Sequence, residues 1–366
     1  MAIRRDGGVG VGRRRCVGIR GAAMKEQLNV PRAEFQSYYG RQILKTPVWN
    51  WMIAAYLFAG GLSAGSALLG AGADLTGRPQ LRKVSRVGSL VSLVASMYFL
   101  IGDLGRPERF HHMLRVAKPS SPMSMGTWIL GAYGPGAGVA AVAELMPARM
   151  RRTRPGRLLA AAARPAGLEA AAVAPGVASY TAVLLSHTAV PAWHDAHPYL
   201  PFVFTGSAAA SGGGLGMLLA PMAESGPARR MAVAGAALEV AASRTMERRI
   251  GFVGQAYTSG RAHRLRQWSE ILTVGGAAGA VLGRHRAVVA VSGAALLAGS
   301  ALQRFGVFEA GVESTKDPKY VVVPQRARLA AGEQARGDAP GTQFPRFTAT
   351  VRRARTAAAR TLTRTR

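Results

Sequence analysis

Along this chain, long runs free of charge alternate with short connections rich in arginine. A soluble domain disperses its charges along amphipathic elements. Charge gathered between apolar blocks instead marks a chain that crosses hydrocarbon, where an ionised side chain is costly. A spanning helix takes about 20 apolar residues, because lipid offers no partner to an unpaired backbone group. Four stretches meet that length. Residues 48–73 carry no charge and open on Trp49 and Trp51, rings suited to the membrane interface. Residues 120–143 are also uncharged, and 170–193 and 196–223 hold only His187 and His197 respectively. Residues 87–102 and 287–303 are shorter but flanked by arginines that can snorkel. Residues 231–246 are interrupted by Glu239 and Arg244, and 271–283 are brief. The pattern predicts an all-α, polytopic transmembrane helical bundle of about eight spans.

Glycines four apart at Gly61/Gly65, Gly134/Gly138 and Gly212/Gly216, and the series Gly275, Gly279, Gly283, suit spans that pack by close backbone approach. The transmembrane domain is expected over 47–310, preceded by a basic segment, 1–46. Within that segment 1–23 are Gly/Arg-rich and lack a signal-peptide core, so Met24 is expected to be the true start. A polar extension follows over 311–366. Its Asp317-Pro318 turn and Val321–Val323 run suggest short ordered structure, with disorder expected beyond about 328. Eight spans put both termini on one side with the connections 103–119, 194–197 and 247–267. Connections 74–86 and 147–167 lie opposite, and their arginines and lysines favour the cytoplasm, whereas the basic tails favour the reverse orientation, long tails counting for less.

Net charge changes little in this picture. The 47 Lys+Arg against 18 Asp+Glu give +29, a balance that could suit nucleic acid. Most of these arginines flank spans or lie in the tails, where they meet lipid phosphates and orient the protein, so no nucleic-acid partner is expected. The single cysteine, Cys16, excludes a disulfide framework and a Cys-ligated zinc or iron–sulfur site within the chain.

Polar groups at span ends or within spans are the functional candidates. After the second span come Asp103-Leu-Gly-Arg106-Pro107-Glu108-Arg109-Phe110-His111-His112, and the third opens on Lys118-Pro119-Ser120-Ser121-Pro122 with Trp128. A charged loop with a local Asp103–Arg106 ion pair, worth little when exposed, is the competing reading. In the fourth span Tyr180 and His187 are seven residues apart, hence on one helix face. A phenol and an imidazole can hydrogen-bond the two oxygens of a quinone-like ring; a packed Tyr and a structural His are the equal alternative. His187 is the only histidine expected deep in a span, so a pair of haem ligands is not expected. Glu239 is a candidate for a proton path, or else an ion-pair partner of Arg244 or Arg248.

Together these segments resemble the NrfD / polysulfide reductase membrane-subunit family. The resemblance rests on Tyr56-Leu-Phe-Ala-Gly-Gly-Leu-Ser-Ala-Gly65, Asp103-Leu-Gly-Arg-Pro-Glu-Arg-Phe110, Ser121-Pro-Met-Ser-Met-Gly-Thr-Trp128, Ser179-Tyr180 and Val190-Pro-Ala-Trp193, and covers roughly 35–325. It implies two four-helix bundles and a quinone-reactive membrane subunit with no haem and no iron–sulfur cluster of its own. Such a subunit exchanges electrons between menaquinol and a ferredoxin-like iron–sulfur partner serving a molybdopterin catalytic subunit, in a bacterial inner membrane. Tyr180 matches the family's span-four tyrosine. Some members carry an Asn on span one where this chain has Ile53-Ala54-Ala55, so the second ring contact would fall to His187 or Asp103. Arg106, Arg109, His112, Trp193 and His194 would form the docking face. A membrane anchor without quinone chemistry is the second reading. A transporter is a third, disfavoured because the Asp-Leu-Gly-Arg-Pro turn has no counterpart in the second half.

Overall fold

The computed structural model describes residues 42–330. The expectations for Met24, for 1–23 and for disorder beyond 330 fall outside those residues. The described chain runs through α1 (Trp51–Leu75), α2 (Pro79–Gly102), α3 (Pro122–Leu145), the single turn α4 (Ala148–Arg151), α5 (Arg154–Ser186), the short α6 (Pro191–Asp195), α7 (Leu200–Leu219), α8 (Gly226–Arg249), α9 (Gly260–Leu282), α10 (Arg286–Lys316) and α11 (Lys319–Ala330). Among the described residues there is no strand. Eight helices are 20 residues or longer, the number expected from the charge-free runs. Five of them, α1, α2, α5, α7 and α10, are long and apolar enough to cross a membrane by composition alone. The other three, α3, α8 and α9, have comparable lengths of 24, 24 and 23 residues. The protein is a multi-pass membrane protein.

Local chemistry sets the starts. The Asn50 side chain caps α1 by accepting from the Met52 amide at 2.7 Å. Ser121 and Thr153 cap α3 and α5, each followed closely by a proline in the first turn. Two helices outrun their sequence boundaries. α5 begins at Arg154 rather than near 170, because its early arginines lie at the membrane edge, where Arg164 reaches Asp74 at 3.5 Å. α10 continues past Gln303 to Lys316, which takes Arg304 into the interior at 1 % exposure. The Asp317-Pro318 turn then separates α10 from α11.

Helices α1, α2, α3 and α5 pack as one group and α7–α10 as another, joined along α1 and α7. That junction requires glycine: a Cβ on Gly212 would stand 2.8 Å from the Gly65 Cα, and one on Gly65 2.8 Å from the Ala208 carbonyl carbon. Gly138 and Gly275, members of the same sequence pattern, face nothing within 4 Å. Successive helices alternate in direction, so 42–50, 103–121, 187–199, 250–259 and α11 share one end of the bundle. The α1–α2 turn, α4 and the connections around 220–225 and 283–285 occupy the other.

Candidate functional site

At the first of these ends the four helices of the N-terminal group close around a narrow cavity of about 70 Å³. Tyr56 from α1 and Tyr180 from α5 point their hydroxyls at each other inside it, in hydrogen-bond contact and both buried. Ile53, Leu100, Met123 and Leu130 supply apolar wall, and Trp49 and Asp103 stand at its rim. Tyr180 seats against α3 only because residue 126 is glycine: a Cβ there would lie 2.5 Å from the ring Cδ2.

Asp103 is the C-cap of α2 and accepts a hydrogen bond from the Asn50 backbone N–H at 3.1 Å. The carboxylate thereby sits at the N-terminus of α1, where unpaired amides favour negative charge. Partial burial raises its pKa above the ordinary carboxylate value, and the Asn50 amide opposes that rise. Among the described residues it forms no ion pair with Arg106. Tyr56 is the member of this site that sequence reasoning misses. It is visible as a phenol in an otherwise uncharged span, but α1 offers no spacing that ties it to Tyr180, 124 residues away.

The remaining sequence candidates lie elsewhere. α5 ends at Ser186, so His187 is its C-cap, solvent-exposed and outside the cavity, not deep in a span. The seven-residue helical spacing fails because the helix stops before completing it. Arg109 and His112 are exposed on the 3-10 helix Pro107–Leu114 beside the cavity, and Arg106 is exposed as its N-cap; His111 and His112 pack edge to face at 4.4 Å. His194 is exposed nearby, its Nδ1 3.1 Å from the Ser186 carbonyl oxygen. Trp193 corrects the docking expectation. It is fully buried, donating Nε1–H to the Val307 carbonyl at 2.8 Å and stacking on Trp49 at 5.8 Å. An indole flanked by helix α10 on one side and Trp49 on the other belongs to the core.

Glu239 lies on α8 at 2 % exposure. Its charged neighbours are Arg304 of α10 and Arg266 of α9, not the arginines of its own helix. Arg244 turns outward to Glu270, with Nε 2.9 Å from Oε1. Arg304 donates Nη2–H to the Phe204 carbonyl at 2.7 Å and covers the Phe204 ring at 3.6 Å. Its Nε and Nη1, and Oε2 of Glu239, have no hydrogen-bond partner among the described residues. No three His, Cys, Asp or Glu side chains converge as a metal site among those residues.

The protein is 35 % identical over 79 residues to a subunit of the selenate reductase of Mesobacillus selenatarsenatis, a stretch that is 21 % of this sequence and 18 % of that one. It is 34 % identical over 96 residues to a component of the polysulfide reductase of Wolinella succinogenes, 25 % of this sequence and 30 % of that one. These matches thus span less than a third of either relative. The family model "Polysulphide reductase, NrfD" matches residues 42–248, α1 through nearly all of α8 and more than half of the chain. This chain belongs to the NrfD polysulphide reductase family.

Proposed function

We propose that this protein is the quinone-reactive membrane subunit of a reductase complex in a bacterial inner membrane. In this reading it exchanges electrons between menaquinol and an iron–sulfur partner, which serves a molybdopterin catalytic subunit. The observation that carries the reading is the Tyr56–Tyr180 pair in an apolar cavity with Asp103 at its rim. Two phenols suit a quinol ring chemically: each can donate to one ring oxygen or accept from a ring hydroxyl. Membrane burial strengthens such bonds, and Asp103 stands where a proton could leave for the aqueous edge. The volume sets a condition. At about 70 Å³ the cavity is well below the roughly 300–1,000 Å³ of ordinary ligand pockets, so a bicyclic ring requires the tyrosine pair to part. The Tyr56–Tyr180 hydroxyl contact is the one a ring oxygen would replace.

Exposed Arg106, Arg109, His112 and His194 lie at the same end of the bundle as the cavity and would meet the partner. Glu239, beside Arg304 in the second helix group, would serve a separate proton path. The small volume favours one other reading, an anchor that assembles the complex without binding quinol. Tyr180→Phe distinguishes the two. Assembled in its complex, this variant should lose at least tenfold in quinol-dependent reduction of the iron–sulfur partner, followed by the visible absorbance of the clusters. An unchanged rate would leave only the anchor.

A further inference from the structure

One face of α2 divides sharply into a polar start and an apolar remainder. Gln80 and Lys83 begin it, and Val84, Val87, Val91 and Ala95 continue it at helical spacing to Phe99. This face forms one wall of a groove of about 610 Å³. Phe58 and Leu62 of α1 and Leu215 and Leu219 of α7 form the others. The volume falls within the roughly 300–1,000 Å³ of ordinary ligand pockets. Val91, Leu145 and Leu219 in its lining are each more than half exposed, so the groove opens outward, where a spanning helix meets lipid. It is distinct from the tyrosine cavity: Phe99 lines the groove, and its neighbour Leu100 lines the cavity.

The two ends of the groove differ in charge. Lys83 stands at the α1–α2 turn end, exposed, and joins no ion pair among the described residues. Its basic neighbours are committed. Arg82 and Arg86 share Asp74 and Glu144 at 2.7–3.3 Å, and Arg164 also reaches Asp74, at 3.5 Å. Glu224 accepts from the Leu81 amide at 2.8 Å, so each of these carboxylates already has a partner. A lysine at a bilayer edge attracts anionic headgroups, and its long stem can lie on apolar surface while its ammonium reaches the interface. Val84 and Phe99 are 15 helical residues apart, about 22 Å along the axis. That exceeds half of the roughly 30 Å hydrocarbon core, so an acyl chain rooted at Lys83 can stay in the groove for the depth of its leaflet.

We propose that the groove is the seat of a phospholipid of net negative charge, with its phosphate on Lys83 and one acyl chain along α2. The Gln80 amide, beside Lys83 on the same face, can donate to a second headgroup oxygen. A choline or ethanolamine head would bring a further cation to a rim whose carboxylates already face three arginines, so the chemistry selects a head without one. The seated chain fills the space between α2 and α7, beside the α1–α7 junction that joins the two helix groups. The lipid is thus a structural ligand of the bundle, and its binding does not depend on quinol chemistry in the tyrosine cavity.

The test uses the full chain in its assembled complex, in nanodiscs of dioleoylphosphatidylcholine doped with phosphatidylglycerol that carries a diazirine in one acyl chain. After illumination, peptide mapping should place label on 84–99 of α2 and on Leu215 or Leu219. Unlabelled dioleoylphosphatidylglycerol should compete at least fivefold better than an equal mole fraction of dioleoylphosphatidylethanolamine. Lys83→Gln should cut the labelling about fivefold, the worth of one basic residue at an anionic surface. Ala95→Phe, which obstructs the chain and leaves the head alone, should abolish it on α2. Equal competition by the two lipids, or unchanged labelling in both variants, would overturn the proposal. So would three other results, each of which names a different occupant. Inorganic phosphate competing as well as the lipid would leave an anion site, and a long-tailed naphthoquinone competing better would give the groove to a quinol tail. No label on 84–99 would leave it to a partner's helix or a second copy of this chain.

Discussion

Gly126→Ala and Gly138→Ala form a matched pair on α3 that tests the seating of Tyr180 without altering a polar atom. At position 126 the new methyl would stand 2.5 Å from the Tyr180 ring Cδ2, whereas ordinary contact begins near 3.4 Å. The ring must retreat by about 1 Å, and misplacement on that scale can cost a hundredfold in rate, about 2.7 kcal/mol of barrier. Overpacking costs about 1–3 kcal/mol in stability, offset by the roughly 1 kcal/mol that alanine gains over glycine in a helix. At position 138 nothing lies within 4 Å, so only the helix gain applies. Gly126→Ala is therefore expected to lose quinol-dependent reduction of the iron–sulfur partner by ten- to a hundredfold, with stability near or below wild type. Gly138→Ala should keep full activity and hold or gain stability. The assays are quinol oxidation by the assembled complex and thermal unfolding in detergent. Equal activities for the two variants would refute the claim that the ring position of Tyr180 governs the site.

Burial holds Asp103 above its unfolded pKa, so the folded protein keeps that proton to higher pH. The stabilisation from this site is full below the ordinary carboxylate value and declines as pH rises through the raised one. Wild type should thus lose thermal stability relative to Asp103→Asn across the acidic range just above pH 3.8, and parallel curves would contradict this. In the second helix group, Arg304→Met should destabilise by about 3–5 kcal/mol because it strands Glu239, while adding Glu239→Gln should recover part of that loss. A double-mutant cycle in detergent with no coupling would show that the two charges do not sense each other.

The number of helices is legible because charge segregation depends only on sequence order. Their ends are not. Reading arginine as loop hides the first 16 residues of α5 and the last 13 of α10. An arginine at the membrane edge can remain helical when its head reaches Asp74, as Arg164 does, and one deep inside can when its head reaches a carbonyl and a ring, as Arg304 does. Tyr180 and Asp103 can be singled out because each interrupts a local pattern. That Tyr180 meets Tyr56 in a cavity lined also by Asp103, by contrast, depends on how α1, α2 and α5 pack, and no local spacing encodes that. His187 and Trp193 depart from expectation for opposite reasons: one helix stops a residue short, and one tryptophan turns inward to α10.

The same reasoning accounts for part of the arginine excess that by itself could suit nucleic acid. At the α1–α2 turn end, the helix C-termini of α3, α7 and α9 leave carbonyls without intrahelical partners. Arg151 donates to the carbonyls of Ala143 and Met146 at 3.1 and 3.2 Å. Arg229 serves Ala280 at 2.5 Å and Gly283 at 2.8 Å, and Arg286 serves Met217 at 2.5 Å and also Leu218. Each arginine belongs to the start, or the approach to the start, of one helix and closes the end of another. The charge is favourably placed there, since a cation complements the negative pole of a helix. Arg106 and Arg109 at the cavity end make no such carbonyl contact among the described residues, and both are exposed. Exposed beside the tyrosine cavity, these two arginines would be open to a partner carrying acidic groups.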